Sequence, residues 1–151
     1  MKRIFDRIFR GVGKNRPTEK VTSIEKFWLR ISGMRFEVVY EMLETGDNVE
    51  ITLYRIAYVN RKDSKIAEKS AVCEVEEILE LLNSCNVMSW NGFHGDHPRH
   101  VCDGEMFSLV ADVNRGLQIK AEGSENFPRG YKELIARLNQ ILNERNNINN
   151  K

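Results

Sequence analysis

The three histidines of this 151-residue chain, His94, His97 and His100, fall within seven residues, with Asp96 between them and Cys102 and Asp103 just beyond. Imidazole, thiolate and carboxylate are the groups that hold zinc and similar borderline ions. Residues 94–103 are therefore a candidate metal site, with His94, Asp96, His97, His100, Cys102 and Asp103 as donors. The spacing argues the other way. A structural zinc site draws ligand pairs from two segments, and here no second pair exists; Cys85 is the one outside donor available. Gly95 and Pro98 break any regular helix, so the backbone of a loop must decide whether the imidazoles converge. The competing reading is a solvated loop whose histidines contact carboxylates, and no cofactor other than zinc suggests itself.

The same stretch contains the parts of a thiolate nucleophile, with His100 two residues from Cys102 and Asp96 or Asp103 able to orient the imidazole. No oxyanion donor or helix N-terminus is identifiable beside Cys102, so no catalytic residue is assigned. Trp90 and Phe93, just upstream, are candidates for an aromatic contact surface, or else for closing a small core. Gly11-Val-Gly13 lacks the preceding strand and later lysine of a phosphate loop and reads as a helix stop or linker. Gly123-Ser-Glu-Asn126 could offer backbone amides to a ligand, but a connection explains it equally well.

The elements that must position these residues follow from apolar period. Phe27, Leu29 and Ile31 alternate with polar neighbours, then a Ser32-Gly33 turn leads to Met34, Phe36, Val38, Tyr40 and Met42 in the same period; Thr22 to Glu25 also has capping-box spacing, which leaves a helix open for the first stretch. Thr45 to Asn48 turns into a third strand through Val49, Ile51 and Leu53, and Ile66 to Cys73 adds a fourth of poor apolar content. Val75, Ile78, Leu79 and Leu82 make a helical stripe with acidic opening turns, ending near Asn83. Phe107 to Val113 and Leu117 to Ala121 form a second hairpin about Asn114-Arg115-Gly116, and a last helix runs from about Pro128 to Arg145. The expected fold is α+β: an antiparallel sheet of five or six strands, a meander plus a second hairpin, with two main helices on one face.

Length fits one domain over residues 19–145, after a basic segment and linker over 1–18 and before a polar tail over 146–151 that should fray. A net charge of +1 excludes a polyanion-binding surface spread over the molecule, and no nucleic-acid partner is expected. Three cysteines, an odd count, fit a reducing cytoplasm better than a disulfide framework. Residues 1–16 carry six cations against Asp6 alone, a local charge of +5 that leaves about −4 for the rest. There Ile4, Phe5, Ile8 and Phe9 recur at helical spacing. A short basic amphipathic helix is expected, which would dock on its own domain, on a partner or on an anionic surface such as the inner membrane.

An apolar-striped helix followed by Trp90-Asn-Gly92-Phe93, Asp103-Gly104, Phe107-Ser-Leu109, Ala121-Glu-Gly123, Phe127-Pro128 and Tyr131 resembles a group of small bacterial proteins of unknown function. The resemblance spans roughly residues 75–142. It implies a bacterial origin and a shared fold and brings no activity with it. In that group the loop after the tryptophan is polar without histidines, so the histidine cluster departs from the pattern. Taken together, the sequence points to a noncatalytic protein-interaction or ligand-binding domain, with a protein partner or self-association expected. The alternatives are a zinc-type metal-binding protein or hydrolase using residues 94–103, and a peripheral membrane protein anchored through residues 1–16.

Overall fold

Strict alternation of apolar and polar residues from Ile24 onward can bury only one face of a strand, and a sheet assembled from such strands needs a single cover. The computed structural model describes residues 19–148. Its strands are β1 (Ile24–Ser32), β2 (Glu37–Thr45), β3 (Asn48–Val59), β4 (Lys62–Glu74), β5 (His94–Gly95), β6 (Met106–Val113) and β7 (Leu117–Ser124). They form one sheet in the order β4-β3-β2-β1-β6-β7-β5. The first four make an antiparallel meander, and the β6–β7 hairpin joins it by pairing β6 with β1, Leu29 opposite Leu109 and Ile31 opposite Phe107. Phe27, Leu29, Tyr40, Met42, Ile51, Leu109 and Ile119 point to one side of this sheet and are buried. Helices α1 (Val75–Ser84) and α2 (Tyr131–Arg145) pack there, contributing Ile78, Leu82, Leu134, Leu138 and Leu142 to the same core. Among the described residues no helix is long and apolar enough to cross a membrane.

Two expectations about the sheet need correction. It has seven strands rather than five or six, and it is mixed rather than antiparallel throughout, because His94–Gly95 runs parallel to Glu122–Gly123 at the edge. Two residues are too few to show a period, so this strand exists only through its neighbours. Gly92 N–H donates to the Lys120 carbonyl and Glu122 N–H to the Phe93 carbonyl. The helical alternative for the first strand is also settled. Ser23 Oγ, just ahead of the strand, donates to Glu25 at its start, while Asn114 Oδ1 accepts from the Thr22 backbone N–H at 2.7 Å. The fourth strand is longer than its apolar content suggested because β3 and β4 continue as a two-stranded arm past the start of β2, where among the described residues no third strand pairs with them. Of the tail expected to fray, Asn146 and Asn147 are bound to that strand, Ser70 N–H donating to Asn146 Oδ1 and Asn147 N–H to the Ser70 carbonyl, and residues 149–151 lie outside the described residues.

Both helix starts are set by contacts rather than by side-chain caps. α2 begins three residues later than expected, since Gly130 takes a left-handed φ of +92° and Tyr131 N–H reaches back to the Pro128 carbonyl. A 3₁₀ turn, Val87–Trp90, follows α1 and carries Trp90, whose indole Nε1–H donates to the Arg129 carbonyl at 2.9 Å. Gly130 lies against the Cys85 carbonyl, where any Cβ would overlap the oxygen. At the other end of α2, Arg145 grips Glu77 of α1 in a two-pronged ion pair at 2.9 and 2.7 Å. That hydrogen-bonded guanidinium holds the Glu77 carboxyl below the usual carboxylate range.

Gly130→Ala is expected to lower unfolding stability by about 3 kcal/mol or more in urea titration, combining a strained φ with a backbone overlap. Gly46→Ala, with φ of +76° but nothing within 4 Å, should cost about 1 kcal/mol. Equal losses would sink the packing argument. Because the Glu77 pKa is depressed in the folded state, its contribution is present above the unfolded value and lost as pH falls through the lower folded one. The difference in urea midpoint between the parent and Glu77→Gln should therefore shrink on acidification below about pH 4. Solvent screening limits the pair to about 1 kcal/mol or less.

Candidate functional site

The histidine stretch is pinned across the sheet by two glycines. Gly95 of β5 and Gly123 of β7 both lie against the Asn126 backbone carbonyl, in space a Cβ would fill, and Asn126 Nδ2 donates to the Asp96 carbonyl at 3.2 Å. Parallel pairing then sets His94 beside Glu122 on the face of the sheet away from the helices. His94 Nδ1 lies 2.9 Å from Glu122 Oε2, and Nε2 lies 3.1 Å from Asp96 Oδ1. His97 is engaged on both nitrogens as well, Nδ1 at 2.7 Å from Ser124 Oγ and Nε2 at 2.6 Å from the Val101 carbonyl oxygen. A carbonyl can only accept, so Nε2 carries the proton and donates, and in the neutral ring Nδ1 accepts from the serine hydroxyl. The imidazole of His97 is thereby a strut between the loop and β7.

The six candidate metal donors do not come together. Among the described residues no three His, Cys, Asp or Glu side chains converge closely enough to hold an ion. His100 sits exposed in a turn with a left-handed φ of +69°, and Cys102 and Asp103 are exposed beyond it. No hydrogen bond among the described residues joins Cys102 to an imidazole, as thiolate activation would need. Cys85, the outside donor considered, is in the core with a thiol pKa pushed up by burial. All three cysteines are free thiols.

The proposed aromatic surface is likewise corrected. Trp90 is only 1% exposed, spent on Arg129 and on Tyr131, whose ring centre is 6.1 Å away. Phe93 is half-buried, packed at 6.2 Å against Phe107. The other reading of this tryptophan, closing a small core, is the one the structure bears out, with the Arg129 carbonyl as its hydrogen-bond partner. Ile4, Phe5, Ile8 and Phe9 lie outside the described residues.

Between the pinned loop and the sheet opens a cleft of about 460 Å³. Neighbouring strands supply its floor in rows: Arg30, Ser108 and Glu122 across one, Ser32, Met106 and Ser124 across the next. Three hydroxyls, a guanidinium ion-paired to Glu37 and the exposed Met106 thus face His94 and His97. Nothing in the sequence marks these residues as the floor of one cleft. Alternation shows that each faces solvent, but strand register alone makes them neighbours. Exposed apolar side chains gather at this same end of the sheet. Of the nine large ones among the described residues, seven lie at the β1–β2 turn, on the β3–β4 arm or along the approach to β6; Leu43 and Val72 are the exceptions.

His97→Ala is expected to speed amide hydrogen exchange across residues 96–104 while leaving β1 and β6 protected, with a global loss of about 1 kcal/mol. Unchanged loop protection would show that the imidazole does not hold it. Comparison of the chain with protein-family models, with curated proteins and with solved structures found no match, so the reading of this site rests on its own geometry.

Proposed function

We propose that this chain is a noncatalytic protein-interaction domain whose contact surface is the end of the sheet formed by the β1–β2 turn, the β3–β4 arm and the histidine loop. The observation that carries this reading is the exposure of large apolar side chains at that end of the sheet, with Met34 69%, Tyr58 72% and Met106 54% exposed and Met106 on the floor of the polar cleft. Scattered apolar residues on a surface need no explanation, whereas a gathering rimmed by polar groups is what a partner desolvates. The long edge strand β4 supports the same choice by contrast. It carries Lys62, Asp63, Lys65, Glu68 and Lys69, a charged edge that discourages strand addition. Recognition is therefore assigned to side chains at the sheet end rather than to backbone pairing along its edge. The histidines act here as struts that shape the surface.

The test is photo-crosslinking in the native cell from a benzophenone amino acid placed in turn at Met34, Tyr58 and Met106, with Thr52 and Glu144 as controls away from this end. One shared product from the three positions and none from the controls is expected. The same pattern of products from all five positions, or none from the first three, would overturn the assignment. A crosslinked product at twice the mass of the chain would identify the partner as a second copy.

A further inference from the structure

A second groove of about 600 Å³ lies on the helix side of the sheet, between the first turns of α2 and the strands β1 and β2. Its floor is apolar, with Ile31, Val38 and Ile135, and Phe36 and Phe127 stand at its sides. Glu105 and Glu125 bring two carboxylates, and Lys132 is exposed at the mouth. The volume is in the range of small-molecule sites, about 300–1,000 Å³, and an apolar lining with a few convergent polar groups is their usual composition.

One atom in this groove has no structural explanation. The Tyr131 hydroxyl is buried, on a residue only 3% exposed, and is the one buried side-chain polar atom among the described residues without a hydrogen-bond partner. Its ring is fixed firmly, stacked on Phe127 at 4.6 Å and packed on Phe107 at 4.9 Å, so the hydroxyl cannot swing to water. Burial, Glu105 and the neighbouring Tyr40 hydroxyl all push its pKa upward, so it stays a neutral donor. Tyr131 itself lines the groove beside Tyr40 and Glu105, so the groups whose charge bears on the orphan hydroxyl are groove residues. The Tyr40 hydroxyl is already committed, donating to Asn139 Oδ1 at 2.7 Å.

The carboxylates are built into position. Glu125 has a left-handed φ of +48°, unfavourable for its type, and its stem fills the space a Cβ would need at Gly104. Its Oε2 accepts from the Glu105 N–H at 2.6 Å, which ties the two acids together. Among the described residues no lysine, arginine or histidine lies within ion-pair distance of either carboxylate. Two acids beside aromatic walls and a fixed hydroxyl donor match an ammonium group set on an apolar body that also carries an acceptor.

We propose that this groove binds a compact organic amine, its ammonium against Glu105 and Glu125, its apolar body over Ile31, Val38 and Ile135, and an acceptor atom taking the Tyr131 hydroxyl. The groove lies on the helix side of the sheet, shares only Phe36 with the protein-contact surface described above, and stands or falls on its own test. The test is a nuclear magnetic resonance titration of the labelled chain with L-phenylalaninamide, against N-acetyl-L-phenylalaninamide, which keeps the ring and carbonyl and lacks the cation. Saturable shifts centred on Tyr40, Glu105, Glu125 and Tyr131 are expected with the amine and none with the acetylated compound. Glu105→Gln and Tyr131→Phe should each weaken binding about tenfold. Tyr131→Phe removes a buried unpaired hydroxyl, so without ligand it should melt at the parent's temperature or higher, which separates lost binding from lost folding. Equal binding of both compounds, shifts centred elsewhere, or no saturable shift with the amine would overturn the proposal.

Discussion

The close approach of Gly130 to the Cys85 carbonyl is the contact on which the arrangement of the two helices depends. It lets the chain leave α1 and begin α2 at van der Waals range, with the Trp90 indole bridging to Arg129 between them. Every later residue of α2 is placed by that start. Tyr131 comes to rest on Phe107 and Phe127, Leu134 and Leu138 reach the core, and Asn139 meets the Tyr40 hydroxyl. Arg145 then closes the far end on Glu77, so α2 is held at both ends by α1 and along its length by the sheet. A side chain at Gly130 would shift all of these together. The aromatic groove beside α2 inherits its shape from the same contact.

A second close approach shapes the opposite face. Gly95 and Gly123 admit the Asn126 carbonyl between them, and the two-residue strand pairs at this close approach. The histidine loop is thereby laid over the sheet rather than left in solvent, and His97 and His94 hold it there through Ser124, Val101, Glu122 and Asp96. Imidazoles spent in this way have a mechanical role. Two of the three clustered histidines thus fasten one glycine- and proline-containing segment at several points, a demand that residues with two hydrogen-bonding nitrogens meet compactly.

Both clefts lie at the same end of the sheet, on its two faces, separated by the β1 and β6 strands. Ile31 and Phe107 turn toward the helix-side groove, and their neighbours Ser32, Ser108 and Met106 toward the cleft under the loop. Strand alternation thus gives one end of the molecule two chemically distinct surfaces, one acidic and aromatic, the other rich in hydroxyls and exposed thioether.

Period-two alternation made the meander and the β6–β7 hairpin legible because each strand buries one face, and the stripe from Val75 to Leu82 made α1 legible for the same reason at helical spacing. The candidate site was legible only as composition. Which way His94 and His97 turn depends on β7, whose Glu122 and Ser124 are nearly thirty residues away and bear no sequence mark of that role. Trp90 reads the same whether it faces water or Arg129, and Tyr131 reads as an ordinary member of a helical stripe until its hydroxyl is found without a partner. Local period determined the elements and their buried faces, since these depend on the chain's own neighbours. Strand β5, the spread of the six would-be metal donors and both clefts were decided by contacts between distant segments, which register and close backbone approach set and spacing along the chain does not encode.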